Sequence, residues 1–111
     1  IIGHGSHIVS NYEWMDGKFV IYSIVNFVFN SNGGDFEKKG VPPLAYVAKL
    51  FIHESAIRLR LYPILVHNPT TFWQPRPATE EQFDELLNRC CPVEESEPFQ
   101  TENKGYLEFM L

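Results

Sequence analysis

The sequence has 111 residues, 44% of them hydrophobic and 14% aromatic, with 9 Lys and Arg against 14 Asp and Glu and a net charge of -5. That is apolar mass for one core, in one domain or part of one, and too little positive charge for a phosphate-binding face, so no nucleic-acid partner is expected. Mean hydropathy is -0.19 and the longest apolar run, from Phe19 to Phe29, is broken at Ser23 and Asn26, so no segment reads as membrane-spanning.

The chain opens on Ile1-Ile2-Gly3-His4-Gly5-Ser6-His7. An apolar pair running into Gly-His reads as a strand end entering a loop, with further chain expected before it, and no signal-peptide pattern is visible. Residues 8–30 predict two strands around Met15-Asp16-Gly17-Lys18, because an Asp-Gly pair tolerates the positive φ of a tight hairpin. After the turn Phe19, Ile21, Ser23 and Val25 alternate with Val20, Tyr22, Ile24 and Asn26. Both faces are mostly apolar, which predicts a central strand covered on each side. From Asn30 through Gly33-Gly34 and Gly40 to Pro42-Pro43 the turn formers predict a surface loop.

A second hairpin is predicted from Ala45 to Ile52 and Ala56 to Val66 around His53-Glu54-Ser55. Ile57, Leu59 and Leu61 alternate there with Arg58, Arg60 and Tyr62, a strand with one dry and one wet face, and Pro63 is placed where the strand leaves its ladder or runs along an edge. The Pro-rich residues 67–77 predict an extended connection. One helix is expected near residues 79–91: Thr79 and Gln82 form a capping box, Glu80 and Glu81 favour the positive end of the helix dipole, Phe83, Leu86, Leu87 and Cys90 make an apolar stripe, and Pro92 stops it. A loop over Glu94 to Pro98 and a short final strand from Tyr106 to Leu111 complete the reading. The fold class is therefore α+β and antiparallel β-rich. Charge is uneven along it: residues 1–78 hold 7 basic and 5 acidic side chains, residues 79–111 hold 2 and 9, and the acidic end reads as solvated surface. Cys90 and Cys91 are adjacent, too close for an unstrained disulfide with each other, and read as two thiols at a helix end that fix no compartment.

His4 and His7 form the one constellation that looks chemical. Small neighbours would let two imidazoles converge on one divalent ion, and a strand-end loop would fix their direction without filling the space above them. Unaided, the pair is also compatible with two solvated rings. His53 in a turn and His67 before Pro69 read as surface residues. Asn26 reads either as an amide facing a metal or substrate oxygen or as a buried amide closing a backbone hydrogen bond, since an Asn in so apolar a run needs a partner. Glu13 is a candidate acid, base or supporting carboxylate, although a Glu beside a hairpin turn is more often solvated. Ser23 has no His-Asp context for a nucleophile, Glu94, Glu95 and Glu97 read as solubilising, and Gly33-Gly34 lacks the setting of a phosphate loop.

Taken together, Gly3-His4-Gly5-Ser6-His7-Ile8-Val9, Glu13-Trp14-Met15-Asp16-Gly17-Lys18 and Tyr22-Ser23-Ile24-Val25-Asn26-Phe27-Val28-Phe29 resemble, in order and spacing, three motifs in the C-terminal half of the CapA family of bacterial capsule and poly-gamma-glutamate biosynthesis proteins. Beyond Leu44 the likeness is one of style only. Gly5-Ser6 stands where the family usually has His-Pro, and Ile24-Val25 where it has Leu-Gly. The resemblance implies that residues 1–111 are the C-terminal portion of a single CapA-like domain, part of a four-layer α/β/β/α metallophosphatase-like sandwich. It further implies a metal-dependent hydrolase of poly-gamma-glutamate capsule biosynthesis or turnover, or a non-catalytic capsule assembly or polymer-binding component that keeps the fold. His4 and His7 would be metal ligands, with Ser6, Asn26 and Glu13 lining the site. The implied cofactor is a divalent metal ion, the implied partners are poly-gamma-glutamate or a related anionic polymer and the capsule synthesis machinery, and the implied location is the cell surface or outside the cytoplasm. The early Gly-Asp and Asn-His motifs of metallophosphatases have no counterpart in these residues, so the pair alone would not complete a dinuclear centre.

Overall fold

The computed structural model describes residues 1–29, 32–90, 100–103 and 105–111. The fold is α+β with antiparallel sheets. Strands β1 (Tyr12–Met15) and β2 (Lys18–Ile21) form a two-stranded sheet, and their turn is the expected one, with Asp16 at φ 50° and Gly17 at φ 73°. Helix α1 covers Gly34–Lys39, β3 Leu44–His53, β4 Ala56–Leu65, α2 Asn68–Thr71, β5 Arg76–Pro77, α3 Glu80–Cys90, β6 Gln100–Asn103 and β7 Tyr106–Met110. The larger sheet runs β3-β4-β7-β6, with β5 paired to β4. Among the described residues no helix is long and apolar enough to cross a membrane.

The alternation read in β4 decides how the core forms. Leu59 and Leu61 point inward with Leu107 and Phe109 of β7, all four fully buried, and Leu44 and Tyr46 join them from β3. Helix α3 lays Phe83, Leu86 and Leu87 on this layer, and Phe19 and Ile21 of β2 enter the same cluster. Each fully buried side chain of this size stabilises the fold by about 1.5–3 kcal/mol. The α3 capping box closes as expected: the Thr79 N–H donates to Gln82 Oε1 at 2.9 Å and the Gln82 N–H to Thr79 Oγ1 at 3.3 Å. A second cluster of Val25, Ala45, Ile64 and Val66, with Phe36 and Val47 against it, lies on the opposite face of the β3–β4 hairpin.

Three expectations are corrected. The long second strand ends at Ile21, opposite the first residue of β1, and it cannot resume beyond Val25, which takes φ 67°, a left-handed conformation that no ladder accommodates. Its apolar tail is consequently exposed at Phe27, Val28 and Phe29. The loop predicted between Asn30 and Pro43 contains α1, bounded by Gly33 and Gly40 in left-handed conformations, with Asp35 and Glu37 in its first turn and Lys38 and Lys39 in its last, the charge order a helix dipole favours. Pro63 stays inside β4 and is buried. It is tolerated because the pairing with β7 stops at Leu61 and that with β5 starts at Ile64, so no ladder bond is asked of its missing N–H. Short elements α2, β5 and β6 were not anticipated. The expectations for Cys91 and for the acidic loop at 94–98 lie outside the described residues.

Candidate functional site

The segments that carry the Gly-His and Tyr-Ser-x-x-Asn patterns are stitched together by backbone. The Ile21 N–H donates to Ile1 O (3.0 Å), Gly3 N–H to Ile21 O (2.7 Å) and Ile24 N–H to Gly3 O (3.2 Å), while Ser10 N–H donates to Ser23 O (3.1 Å) from the other end of the loop. Gly3 is required by this contact: a Cβ there would lie 2.2 Å from the Tyr22 carbonyl oxygen. Between these anchors the chain bulges through Gly5 at φ 113° and His7 at φ 60°.

That bulge delivers His7 to Asn26. Their side-chain nitrogens Nδ1 and Nδ2 are 2.8 Å apart, and the His7 ring lies 4.8 Å from that of Phe29. An amide N–H donating to Nδ1 leaves Nε2 protonated, whereas the amide turned end for end accepts from Nδ1–H and leaves the Nε2 lone pair facing outward, the arrangement that orients a ligating or basic imidazole. Val25 is held beside the pair, 3% exposed, with its N–H donating to Ser23 Oγ at 3.3 Å. A β-branched residue at positive φ stores strain of about 1–3 kcal/mol. His7, Asn26, Asp35, Asn68 and Phe29 line a small cavity of about 20 Å³ here, room for about one water molecule. Asn68 fixes its far wall by donating from Nδ2 to Phe29 O at 2.6 Å.

The other expected site residues are placed elsewhere. His4 lines a broader groove of about 360 Å³ with Ile24, Val25, Phe27, Tyr46 and Val47, so the two imidazoles line different cavities and Val25 contributes to both. Ser6 closes its own turn, Oγ donating to Ile8 O at 2.9 Å, and its carbonyl accepts from Lys39 Nζ at 3.1 Å. Glu13, exposed on β1, accepts a hydrogen bond from the Tyr22 hydroxyl. That bond, reinforced by burial and by the carboxylate charge, raises the Tyr22 pKa above the usual tyrosine value. His67, expected at the surface, is half-buried: its Nδ1 lies 2.6 Å from Thr70 Oγ1 and its ring abuts Gly33, where a Cβ would meet it at 2.5 Å. Asp35 and Asn68 escaped the sequence reading. Gly33, two residues before Asp35, was the one available signal, since a glycine there admits the His67 ring that an added Cβ would meet at 2.5 Å.

The donor set described here does not fit a complete metal site. A catalytic zinc ion takes about three protein ligands; His4 and His7 line separate cavities, and among the described residues no group of three His, Cys, Asp or Glu is placed to hold an ion. What the arrangement offers chemically is one oriented imidazole, two amides and a carboxylate around a water-sized space. Compared with protein-family models, curated proteins and solved structures, the chain finds no match.

Proposed function

We propose that these residues are the C-terminal portion of a CapA-like, metallophosphatase-like protein of poly-gamma-glutamate capsule biosynthesis or turnover, acting as a metal-dependent hydrolase at the cell surface. The observation that supports this reading is the meeting of His7 and Asn26 at 2.8 Å, two residues from separate motifs of the resemblance, 19 positions apart in sequence. The left-handed backbone of Val25 adds to it, because it falls where that family carries glycine, the residue suited to such a conformation. In this reading His7 and Asn26 line the reaction space, Asn26 orients the imidazole, and the divalent ion relies on ligands beyond the described residues. The exposed Phe27, Val28, Phe29, Phe72 and Trp73 are then surface awaiting a further layer of the sandwich.

A second reading is favoured by the separate cavities of His4 and His7: a polymer-binding capsule component that keeps the fold without the chemistry. Metal stoichiometry and release of glutamate from poly-gamma-glutamate, measured for the wild type and for His4→Ala and His7→Ala, separate the two. Bound metal and hydrolysis that fall together in His7→Ala support the hydrolase. Polymer binding without hydrolysis, unchanged in both variants, leaves the binding component.

A further inference from the structure

The face of the β3–β4–β7 sheet turned away from the main core carries a concentration of positive charge that no run in the sequence announces. Lys49 of β3 stands opposite Arg60 of β4, and Phe51 opposite Arg58. The charged groups of Lys49, Arg58 and Arg60 lie 4.8, 5.3 and 5.0 Å from the centre of the Phe51 ring. Glu108 of β7 is the carboxylate paired with these cations, bound by Arg60 Nε and lying 3.8 Å from Arg58 Nη1. Among the described residues, one carboxylate among three cations leaves two positive charges over. Like charges directly opposite each other destabilise a sheet, so this grouping costs stability unless an anion is added. Lys49 is exposed and the Arg58 side chain is 41% exposed, within reach of one. Beside them Phe51, His53, Ser55, Arg58 and Met110 line a recess of about 260 Å³.

We infer that this sheet face is a docking surface for an acidic peptide segment, rich in Glu and Asp, of a partner protein. Glu108 displays the recognition chemistry, a carboxylate held by arginine at the centre of the face. Single-stranded nucleic acid is the competing polyanion, and the rings argue against it. Base stacking requires open aromatic faces, yet Phe51 is covered by cations and Tyr106 by Arg60 at 4.7 Å, with Tyr62 packed on Tyr106 at 5.2 Å. Carboxylates need only the outward N–H groups of Arg58 and Lys49. The inference uses no part of the His7 site and stands apart from the hydrolase reading.

The test is fluorescence anisotropy of the full chain with a labelled peptide of alternating Glu and Asp, and with oligo(dT) of equal charge, at about 50 mM and about 500 mM salt. Expected are peptide binding that weakens steeply with salt, and a loss of at least about fivefold in each of Lys49→Glu and Arg58→Glu. Lys49→Glu serves as the independent variant should Arg58→Glu fail to fold, since Lys49 has no part in the Glu108 pairing. No peptide binding at low salt, binding indifferent to folded Lys49→Glu, or tighter binding of oligo(dT) would overturn the assignment.

Discussion

Replacing Gly3 by Ala tests whether the junction of the two motif segments is as close as described. Gly3 does not have a positive φ, so the cost is steric rather than conformational. The added Cβ would lie 2.2 Å from the Tyr22 oxygen, 2.8 Å from its carbonyl carbon and 3.0 Å from the Ile21 oxygen. All three are backbone atoms that no rotamer can move aside. Restoring an ordinary C···O separation of about 3.3 Å requires the segments to part by about 1 Å. That stretches the 2.7 Å Gly3-to-Ile21 bond beyond hydrogen-bonding range and weakens the 3.2 Å Ile24-to-Gly3 bond. Two backbone bonds at about 1 kcal/mol each, with residual overpacking of about 1 kcal/mol, give a loss of about 3 kcal/mol. For a domain of this size the melting temperature should fall by on the order of 10–20 °C. Urea denaturation followed by circular dichroism gives the free energy directly, and Gly34→Ala supplies the control. Gly34 opens α1 with nothing near its added Cβ and no positive φ, so that change should stabilise by about 0.5–1 kcal/mol. A Gly3→Ala protein whose midpoint matches the wild type would refute the geometry of the junction.

Asn26→Leu should remove the partner of His7 Nδ1 at a cost of about 1 kcal/mol, and the His7 ring-nitrogen resonances in a ¹⁵N NMR spectrum should change; unchanged resonances would dissolve the pair. Thr79→Ala should lower stability by about 1 kcal/mol through loss of the α3 cap, checked by the same urea titration, with an equal midpoint counting against the capping box. Tyr22 should ionise above the ordinary tyrosine range, and Glu13→Gln should return it downward when titrated by its ultraviolet absorbance. The sign follows from linkage: with the folded pKa raised, the bond's contribution is present below the unfolded value near 10 and is lost as pH rises through the folded one. Equal titration of Tyr22 in both proteins would show that the hydroxyl does not lean on Glu13.

What the sequence made legible was local. Asp16-Gly17, the alternation from Ile57 to Tyr62 and the Thr79 to Gln82 box each encode geometry within a few residues, and the β1–β2 turn, the dry and wet faces of β4 and the α3 cap formed as read. What escaped depends on partners distant in sequence. Nothing near Val25 announces a left-handed backbone; a valine holds it because its side chain is buried with Ala45, Ile64 and Val66. Helix α1 is six residues long, too short to stand on intrinsic propensity, and Phe36 against the second cluster supplies what its composition lacks. At the site, Asn26 needs a partner in so apolar a run and has one in His7, but a period-2 reading does not name it. That pairing arises only because the strand stops at Ile21 and the chain turns. His4 and His7, three residues apart in sequence, are separated by the bulge at Gly5 and His7. The cation cluster was invisible because Lys49, Arg58 and Arg60 become neighbours only through the hairpin register.

Strand β7 lies between β4 and β6, and that placement bears on the order of assembly. β4 can meet β3 at once across a tight turn, but its other edge waits for residues about 48 positions away, the Arg60 to Glu108 separation. Strand pairing over so long a separation is slower than pairing across a tight turn, because its loop-closure entropy must be met before the contacts form. Until it happens, Leu59 and Leu61 have neither Leu107 nor Phe109 over them. A chain that has made only the β3–β4 hairpin therefore carries a bare apolar flank, the kind of surface through which incompletely folded copies associate. Phe109→Leu should accordingly speed unfolding more than it slows folding, and yield during refolding should depend on protein concentration more than on the stability of the finished fold.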